Sequence, residues 1–382
     1  MKGSSDTNED IMNRSLRIII AGGGTGGHLF PGIAIAQEFR RRNAATGIVF
    51  VSTGNPLERS VLARAGFELK CITAAGIKGR GVWHQLTSTL KIPVGIFESM
   101  GIIKNFTPDL AIGLGSYSAG PVLLAAWLKR IPAVVHEQNI LPGITNRILA
   151  RFVKRIYISF ENTASRLKSK KVLWTGNPVR RELLAGAATE IIEKHNAGAG
   201  RLFTILIIGG SQGAHRLNMA VSEALPDLKD KAHLHFIHQT GAADAQAVSE
   251  AYRRNRIDCT VQPFFDNMAE LYGRADLLIC RAGATTVAEI AALGKAAIFI
   301  PFPYAADDHQ VLNAAGLSKE GAAEMIVDKD LDGRILSEKI AYYAANPAAL
   351  KDMAARSRRF GKPEAARLIV DDCYKLVDAV TR

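Results

Sequence analysis

Two glycine-rich turns, each entered from a run of β-branched and apolar residues, constrain this chain more than any other feature. The first reads Ile18-Ile19-Ile20-Ala21-Gly22-Gly23-Gly24-Thr25-Gly26-Gly27-His28, and the second Ile205-Leu206-Ile207-Ile208-Gly209-Gly210-Ser211-Gln212-Gly213-Ala214. A continuous apolar run of this kind reads as a parallel strand covered on both faces. Glycines followed by a helix-like stretch read as a turn where backbone N–H groups and a helix N-terminus can face phosphate. Two such openings in 382 residues predict two similar α/β domains with a ligand between them.

The same alternation of strand-like and helix-like segments continues through both halves. Strands are expected at 17–21, 48–52, 110–114, 132–136 and 155–159, then at 203–208, 233–238, 259–262, 276–280 and 296–300. The fold class that follows is α/β, with two Rossmann-like, doubly wound parallel sheets whose ligands sit beyond the C-terminal strand ends. Gly176 and Asn177-Pro178 mark the boundary. The expected domains are 15–176 and 177–362, after a polar extension at 1–14 and before a helical segment at about 363–382.

Composition excludes several classes. No run of about 18 apolar residues exists to span a membrane, and residues 1–14 lack the apolar core of a signal peptide. The cysteines Cys71, Cys259, Cys280 and Cys373 are scattered and form no CxxC spacing, so reduced thiols are expected. Asp328-Lys329-Asp330-Leu331-Asp332-Gly333 imitates a calcium loop, but its twelfth position is Lys339 where a bidentate glutamate belongs. No metal site is expected. Residues 1–182 hold 25 Lys and Arg against 11 Asp and Glu, whereas residues 183–382 hold 23 against 25. The basic excess therefore lies in the first half and suits an anionic surface, either nucleic acid or an anionic membrane.

Gly22, Gly24 and Gly27 match the GxGxxG spacing of dinucleotide enzymes. Such enzymes also need a carboxylate at the end of the second strand for the ribose. Here that strand ends Ser52-Thr53-Gly54, and its counterpart ends Gln239-Thr240-Gly241, so an oxidoreductase is disfavoured. His28 follows the first loop directly. A helix N-terminus there disfavours imidazolium and suits the ring to act as a general base. The turn Gly283-Ala284-Thr285-Thr286 starts another helix, and Glu289 on its first turns is suited to accept both ribose hydroxyls. His136-Glu137-Gln138-Asn139 and the loop Gly115-Ser116-Tyr117 lie at further strand ends, and Asp307-Asp308-His309-Gln310 precedes Asn313.

Taken in order over about residues 16 to 375, these segments, with Gly176-Asn177-Pro178-Val179-Arg180, resemble the MurG family of UDP-N-acetylglucosamine transferases. The resemblance implies a GT-B fold whose final helix packs back on the first domain. It implies inverting transfer of GlcNAc from UDP-GlcNAc to the C4 hydroxyl of undecaprenyl-diphospho-N-acetylmuramoyl-pentapeptide, in peptidoglycan synthesis. Another UDP-sugar enzyme of this fold, such as an epimerase, is the alternative. By likeness, Thr25, Gly26, Gly27, Asn139, Arg180, Ser211, Phe265, Ala284, Thr285, Thr286, Val287, Ala288, Glu289 and Gln310 bind the donor, and Tyr117 and His136 meet the acceptor. His28 is the first choice of base and Glu137 the second. No cofactor is required and nucleic acid is not a partner; cell-wall synthesis proteins are candidate partners. Ser116 stands where the family often has glycine, and Phe265 where an aliphatic residue is common.

The lipid acceptor implies a peripheral enzyme on the cytoplasmic face of the bacterial inner membrane. The surface expected to meet anionic phospholipid runs from Ile77 to Phe106. It carries Ile77, Trp83, Phe97, Ile103 and Phe106 beside Lys78, Arg80 and Lys91. Apolar groups interleaved with cations suit interfacial binding.

Overall fold

The computed structural model describes residues 14–75, 82–186, 201–210, 213–229, 231–305 and 308–381, with the backbone alone for 82–90. The chain divides into two compact units, residues 1–180 with 362–382 and residues 181–361. The stretch 177–180 thus packs with the first unit, beyond the boundary expected at residue 176. Arg14 also belongs to the first unit: it pairs with Asp378 at 3.0 Å, and its carbonyl accepts from the Tyr374 hydroxyl at 3.1 Å.

The first unit is built on a seven-stranded sheet with the order β3-β2-β1-β4-β5-β6-β7. Its strands are β1 (Arg17–Ala21), β2 (Gly47–Ser52), β3 (Glu68–Cys71), β4 (Leu110–Gly113), β5 (Ala133–Glu137), β6 (Arg155–Ile158) and β7 (Val172–Trp174). All pairings are parallel. Period-two alternation sends Ile18 and Ile20 into the core on one face of the sheet, and Ile19 and Ala21 into the core on the other. Both cores are closed by helices, which explains why β1 reads as an unbroken apolar run. Helix Ala365–Thr381 covers the first face, burying Ile369, Val370, Cys373, Tyr374 and Val377. It is tied down by Asp372, which accepts from Arg155 Nε at 2.8 Å and from the Tyr157 hydroxyl at 3.0 Å.

The second unit repeats the plan with a six-stranded parallel sheet, β10-β9-β8-β11-β12-β13. Its strands are β8 (Phe203–Ile208), β9 (Leu234–Gln239), β10 (Asp258–Gln262), β11 (Leu277–Cys280), β12 (Ala296–Phe299) and β13 (Glu324–Met325). In each unit the strand order reverses between the first strand and its fourth: β1 beside β4, and β8 beside β11. Loops diverge at such a switch point and open a crevice at the C-terminal strand ends. The two glycine-rich turns follow β1 and β8, and Gly115 and Gly283 follow β4 and β11. Topology therefore places all four turns at switch points.

Candidate active site

The first glycine-rich loop is shaped by close approach. A Cβ on Gly22, whose φ is +136°, would lie 2.9 Å from the Leu114 side chain, and one on Gly23 would overlap the Glu58 carboxylate. Glu58, at 0 % exposure, comes from helix Pro56–Arg64 and braces the loop. Its carboxylate accepts from Gly24 N–H, from the Ser52 hydroxyl at 2.7 Å and from Asn55 N–H at 2.8 Å. A carboxylate does stand near the end of β2, then, but it is spent on the loop and is not presented to a ribose. Ser116 adds a further brace, its hydroxyl accepting from Gly23 N–H at 3.3 Å.

Helix Gly26–Arg42 begins after Thr25, and His28 lies in its first turn, half-buried. His28 Nδ1 is 2.8 Å from the Leu114 carbonyl oxygen and 3.0 Å from Gln138 Oε1. A carbonyl only accepts, so Nδ1 carries a proton, and in the neutral tautomer this leaves Nε2 as the acceptor nitrogen; this assignment follows from the hydrogen-bond network. His136 is fully buried, and burial pushes its pKa down to about 4, so its ring is neutral at pH 7. Its expected role as an acceptor contact does not fit 0 % exposure; Gln138 bonds both its ring and that of His28.

Glu137 is 2 % exposed and both its oxygens are engaged. Oε1 accepts from Asn139 N–H at 2.9 Å, and Oε2 from Gly143 N–H and Asn146 Nδ2, each at 2.9 Å. A carboxylate so engaged holds the 137–146 loop closed, which speaks against Glu137 as the base. Asn146, which the sequence did not flag, also donates to the His136 carbonyl at 3.2 Å. Tyr117 is 40 % exposed, at the start of helix Ser116–Leu128. The Arg180 guanidinium lies 4.1 Å over the Phe30 ring, on the face of the helix that begins at Gly26.

In the second unit, helix Ala284–Leu293 starts after Gly283 without a side-chain cap. Its N-terminus carries partial positive charge suited to phosphate. Thr286 and Ala288 are half-buried, and Ala284 and Thr285 buried. Val287 offers neither group to a ligand: its side chain is 1 % exposed, and its N–H donates to the Gly283 carbonyl at 2.9 Å. Glu289 is 5 % exposed and accepts from the Tyr272 hydroxyl at 3.0 Å. Gln239, another residue the sequence did not flag, spans two loops. Its Nε2 donates to the Gly210 carbonyl at 2.9 Å, and its Oε1 accepts from Phe265 N–H at 3.0 Å. Gln310 accepts from Phe302 N–H at 2.9 Å and so holds the loop after β12. Ser211, Gln212 and Asp307 lie outside the described residues.

The calcium-like stretch is structural. Asp328 pairs with Arg281 at 2.6 Å and Arg216 at 3.1 Å, and Asp332 caps helix Gly333–Ala345 through Ile335 N–H at 2.7 Å. Among the described residues no group of three His, Cys, Asp or Glu side chains is placed to hold a metal ion.

Of the expected membrane face, Ile77, Lys78 and Arg80 lie outside the described residues, as does the Trp83 side chain. On helix Val82–Phe106, Lys91 is exposed and Phe97 is 75 % exposed. Ile103, expected on that surface, is 4 % exposed and belongs to the core under the helix. Trp127, Leu128, Ile144 and Ile148 extend the exposed apolar set, beside exposed Lys129, Arg130, Arg147 and Arg151. No helix among the described residues is long and apolar enough to cross a membrane.

Two doubly wound parallel sheets in tandem, each with a phosphate-suited turn at its switch point, define the GT-B class of nucleotide-sugar enzymes. The solved MurG of Acinetobacter baumannii superposes on 94 % of the chain and 99 % of its own, with a TM-score of 0.73 and 32 % identity. A UDP-GlcNAc 2-epimerase from Neisseria meningitidis shares the fold, with a TM-score of 0.67 at 14 % identity over 94 % of this chain and all of its own. Residues 18–158 match the glycosyltransferase family 28 N-terminal domain, and residues 204–369 its C-terminal domain. A UDP-N-acetylglucosamine–N-acetylmuramyl-(pentapeptide) pyrophosphoryl-undecaprenol N-acetylglucosamine transferase from Syntrophus aciditrophicus (strain SB) is 47 % identical over 95 % of this chain and 99 % of its own. Its counterpart from Geobacter metallireducens is 44 % identical over 94 % and 98 %. The chain belongs to the MurG family of glycosyltransferase family 28.

Proposed function

We propose that this chain transfers GlcNAc from UDP-GlcNAc to the C4 hydroxyl of undecaprenyl-diphospho-N-acetylmuramoyl-pentapeptide, inverting the anomeric centre and releasing UDP. The observation that carries this reading is the likeness, at 47 % identity and nearly full length on both sides, to a relative named for that transfer. The second unit takes the donor, its diphosphate at the Gly283–Thr286 turn and its ribose at Glu289.

The acceptor hydroxyl oxygen attacks C1, the C1–O bond to the diphosphate breaks, and the hydroxyl proton passes to His28 Nε2. The protonation of His28 described above supports it as the base, because the nitrogen left to accept is the one not turned toward Leu114. A positioned base contributes about 10²–10⁴-fold. Charge on the departing diphosphate is met by the helix N-terminus at the Gly283–Thr286 turn; the reading calls for no cofactor. The exposed apolar and basic residues of helices Val82–Phe106, Ser116–Leu128 and Ile144–Leu149 support peripheral binding to an anionic cytoplasmic leaflet.

The test is UDP release from UDP-GlcNAc with the muramoyl-pentapeptide lipid as acceptor, which NADH or another nucleotide sugar should not replace. His28→Ala is expected to lower turnover by about 10²–10⁴-fold with donor affinity little changed. Near-normal turnover in that variant would remove His28 as the base.

A further inference from the structure

We propose that Gln138 is a positioning residue which, together with His136, orients His28 for proton transfer. The proposal rests on the reading of His28 as the base. Gln138 is 1 % exposed and touches both rings. Its Oε1 lies 3.0 Å from His28 Nδ1 and its Nε2 lies 3.1 Å from His136 Nδ1. His136 Nε2 in turn is 3.2 Å from the Gly176 carbonyl oxygen.

The two ends of this chain are backbone carbonyls, Leu114 at one and Gly176 at the other, and a carbonyl only accepts. Leu114 therefore requires a proton on His28 Nδ1, and that proton requires an acceptor from Gln138. The Gln138 amide must then present its NH₂ to His136 Nδ1, which has to be the acceptor nitrogen. His136 carries its own proton on Nε2 and donates it to Gly176. One arrangement satisfies every contact. A flipped amide would set NH₂ against N–H at His28 and oxygen against a lone pair at His136. Burial that keeps His136 neutral preserves its lone pair on Nδ1.

Glutamine suits this position because one planar group offers an acceptor to one ring and a donor to the other. His136 and Gln138 are two apart at the end of β5, the spacing that puts two side chains on one side of an extended backbone. The relay holds the His28 ring in one tautomer and one rotation before substrate arrives. When Nε2 takes the acceptor proton, Nδ1–H stays between two oxygens already in place, Leu114 O and Gln138 Oε1.

The test compares Gln138→Met, which keeps length and loses both bonds, with Gln138→Glu, which keeps the acceptor toward His28. Turnover is measured with UDP-GlcNAc and the lipid acceptor, and ¹⁵N-histidine spectra report the tautomer of His28. Gln138→Met is expected to lower kcat by about tenfold with KM for UDP-GlcNAc within about twofold, the scale of one hydrogen bond. Its His28 spectrum should become a mixture of tautomers. Gln138→Glu should keep the Nδ1-protonated form and recover most of the lost kcat. His136→Met added to Gln138→Met should cost nothing more in kcat, because the relay is already cut. Wild-type kcat and a single tautomer in Gln138→Met would overturn the proposal, as would equal losses in the Met and Glu variants with the tautomer intact. Normal turnover in His28→Ala would instead sink the base assignment, whereas the tautomer comparison between the wild type and Gln138→Met, both of which keep His28, still tests the relay.

Discussion

Ser116 shows how a single residue trades backbone strain against a contact. Its φ of +57° is left-handed, a region that costs a non-glycine residue roughly 1–2 kcal/mol. Its hydroxyl recovers part of that by accepting from Gly23 N–H at 3.3 Å and pairing with Ser118 at 2.9 Å. Ser116→Ala keeps the strain and loses the contacts, so it should destabilise the first unit by about 1 kcal/mol. Ser116→Gly loses both together and should be near neutral; thermal melts of the two variants check the pair, and equal melting temperatures would remove the hydroxyl's role. At this scale the sequence singled out polar residues next to glycines, such as His28, which the structure places in the first turn of the helix after the first glycine-rich loop. It did not reveal Glu58, Asn146 or Gln239, and it flagged Gln138 only as one of four polar groups at the end of β5, with no role of its own. Each of those three is a buried polar group that braces a loop, and nothing in the sequence pattern around it distinguishes such a side chain from a surface one.

The central strands were legible because both faces are buried, and their apolar runs say so. The strands missed were β3, β7 and β13, all at sheet edges, with Glu68, Lys70 and Cys71 exposed in β3 and Leu173 and Trp174 exposed in β7. An edge strand has one neighbour and less cover, so its pattern fades. Helix Ala365–Thr381 shows what holds an element that returns from far along the chain. Asp372→Ala would leave Arg155 and Tyr157 without their shared acceptor and should cost about 1.5–3 kcal/mol. Ile369→Ala, at 0 % exposure, should cost about 2–5 kcal/mol. Urea titration measures both, and a loss under about 0.5 kcal/mol for either would mean that the helix docks loosely. Helix Val82–Phe106 carries the membrane expectation. Binding to anionic vesicles should weaken with added salt, and further with Phe97→Ser and Lys91→Glu, each nearby cation contributing about 1 kcal/mol. Binding unaffected by salt and by both changes would move the contact elsewhere.

Across the whole molecule, stability should fall on the acid side. His136 in the first unit is pushed down to about 4 by burial, and His238 in the second to about 3. An unfolded histidine takes its proton near pH 6.5, so between that pH and the folded values the unfolded chain binds more protons. Stability therefore rises with pH through this window and is lost as pH falls below about 6.5, at up to about 1.4 kcal/mol per pH unit for each group. Urea midpoints at pH 7 and pH 5 check the sign; equal midpoints would mean that neither ring stays neutral when buried.

The second unit is an insertion within the first. The chain leaves the first unit after Arg180 and re-enters at Lys362, and a Cβ on Gly176 would lie 2.3 Å from that of Lys362. The order of synthesis then differs from the order of assembly. Helix Gly26–Arg42 packs against helix Ala365–Thr381, which the ribosome makes more than 300 residues later. At about 5–20 residues per second, roughly 20–70 s pass between making the two. For that interval the apolar face awaiting Ile369, Val370 and Tyr374 is open, while the inserted unit, contiguous in sequence, has everything it needs to close. The nascent first half is thus the part exposed to chaperones and to misassociation, and the unit that starts first finishes folding after the inserted one.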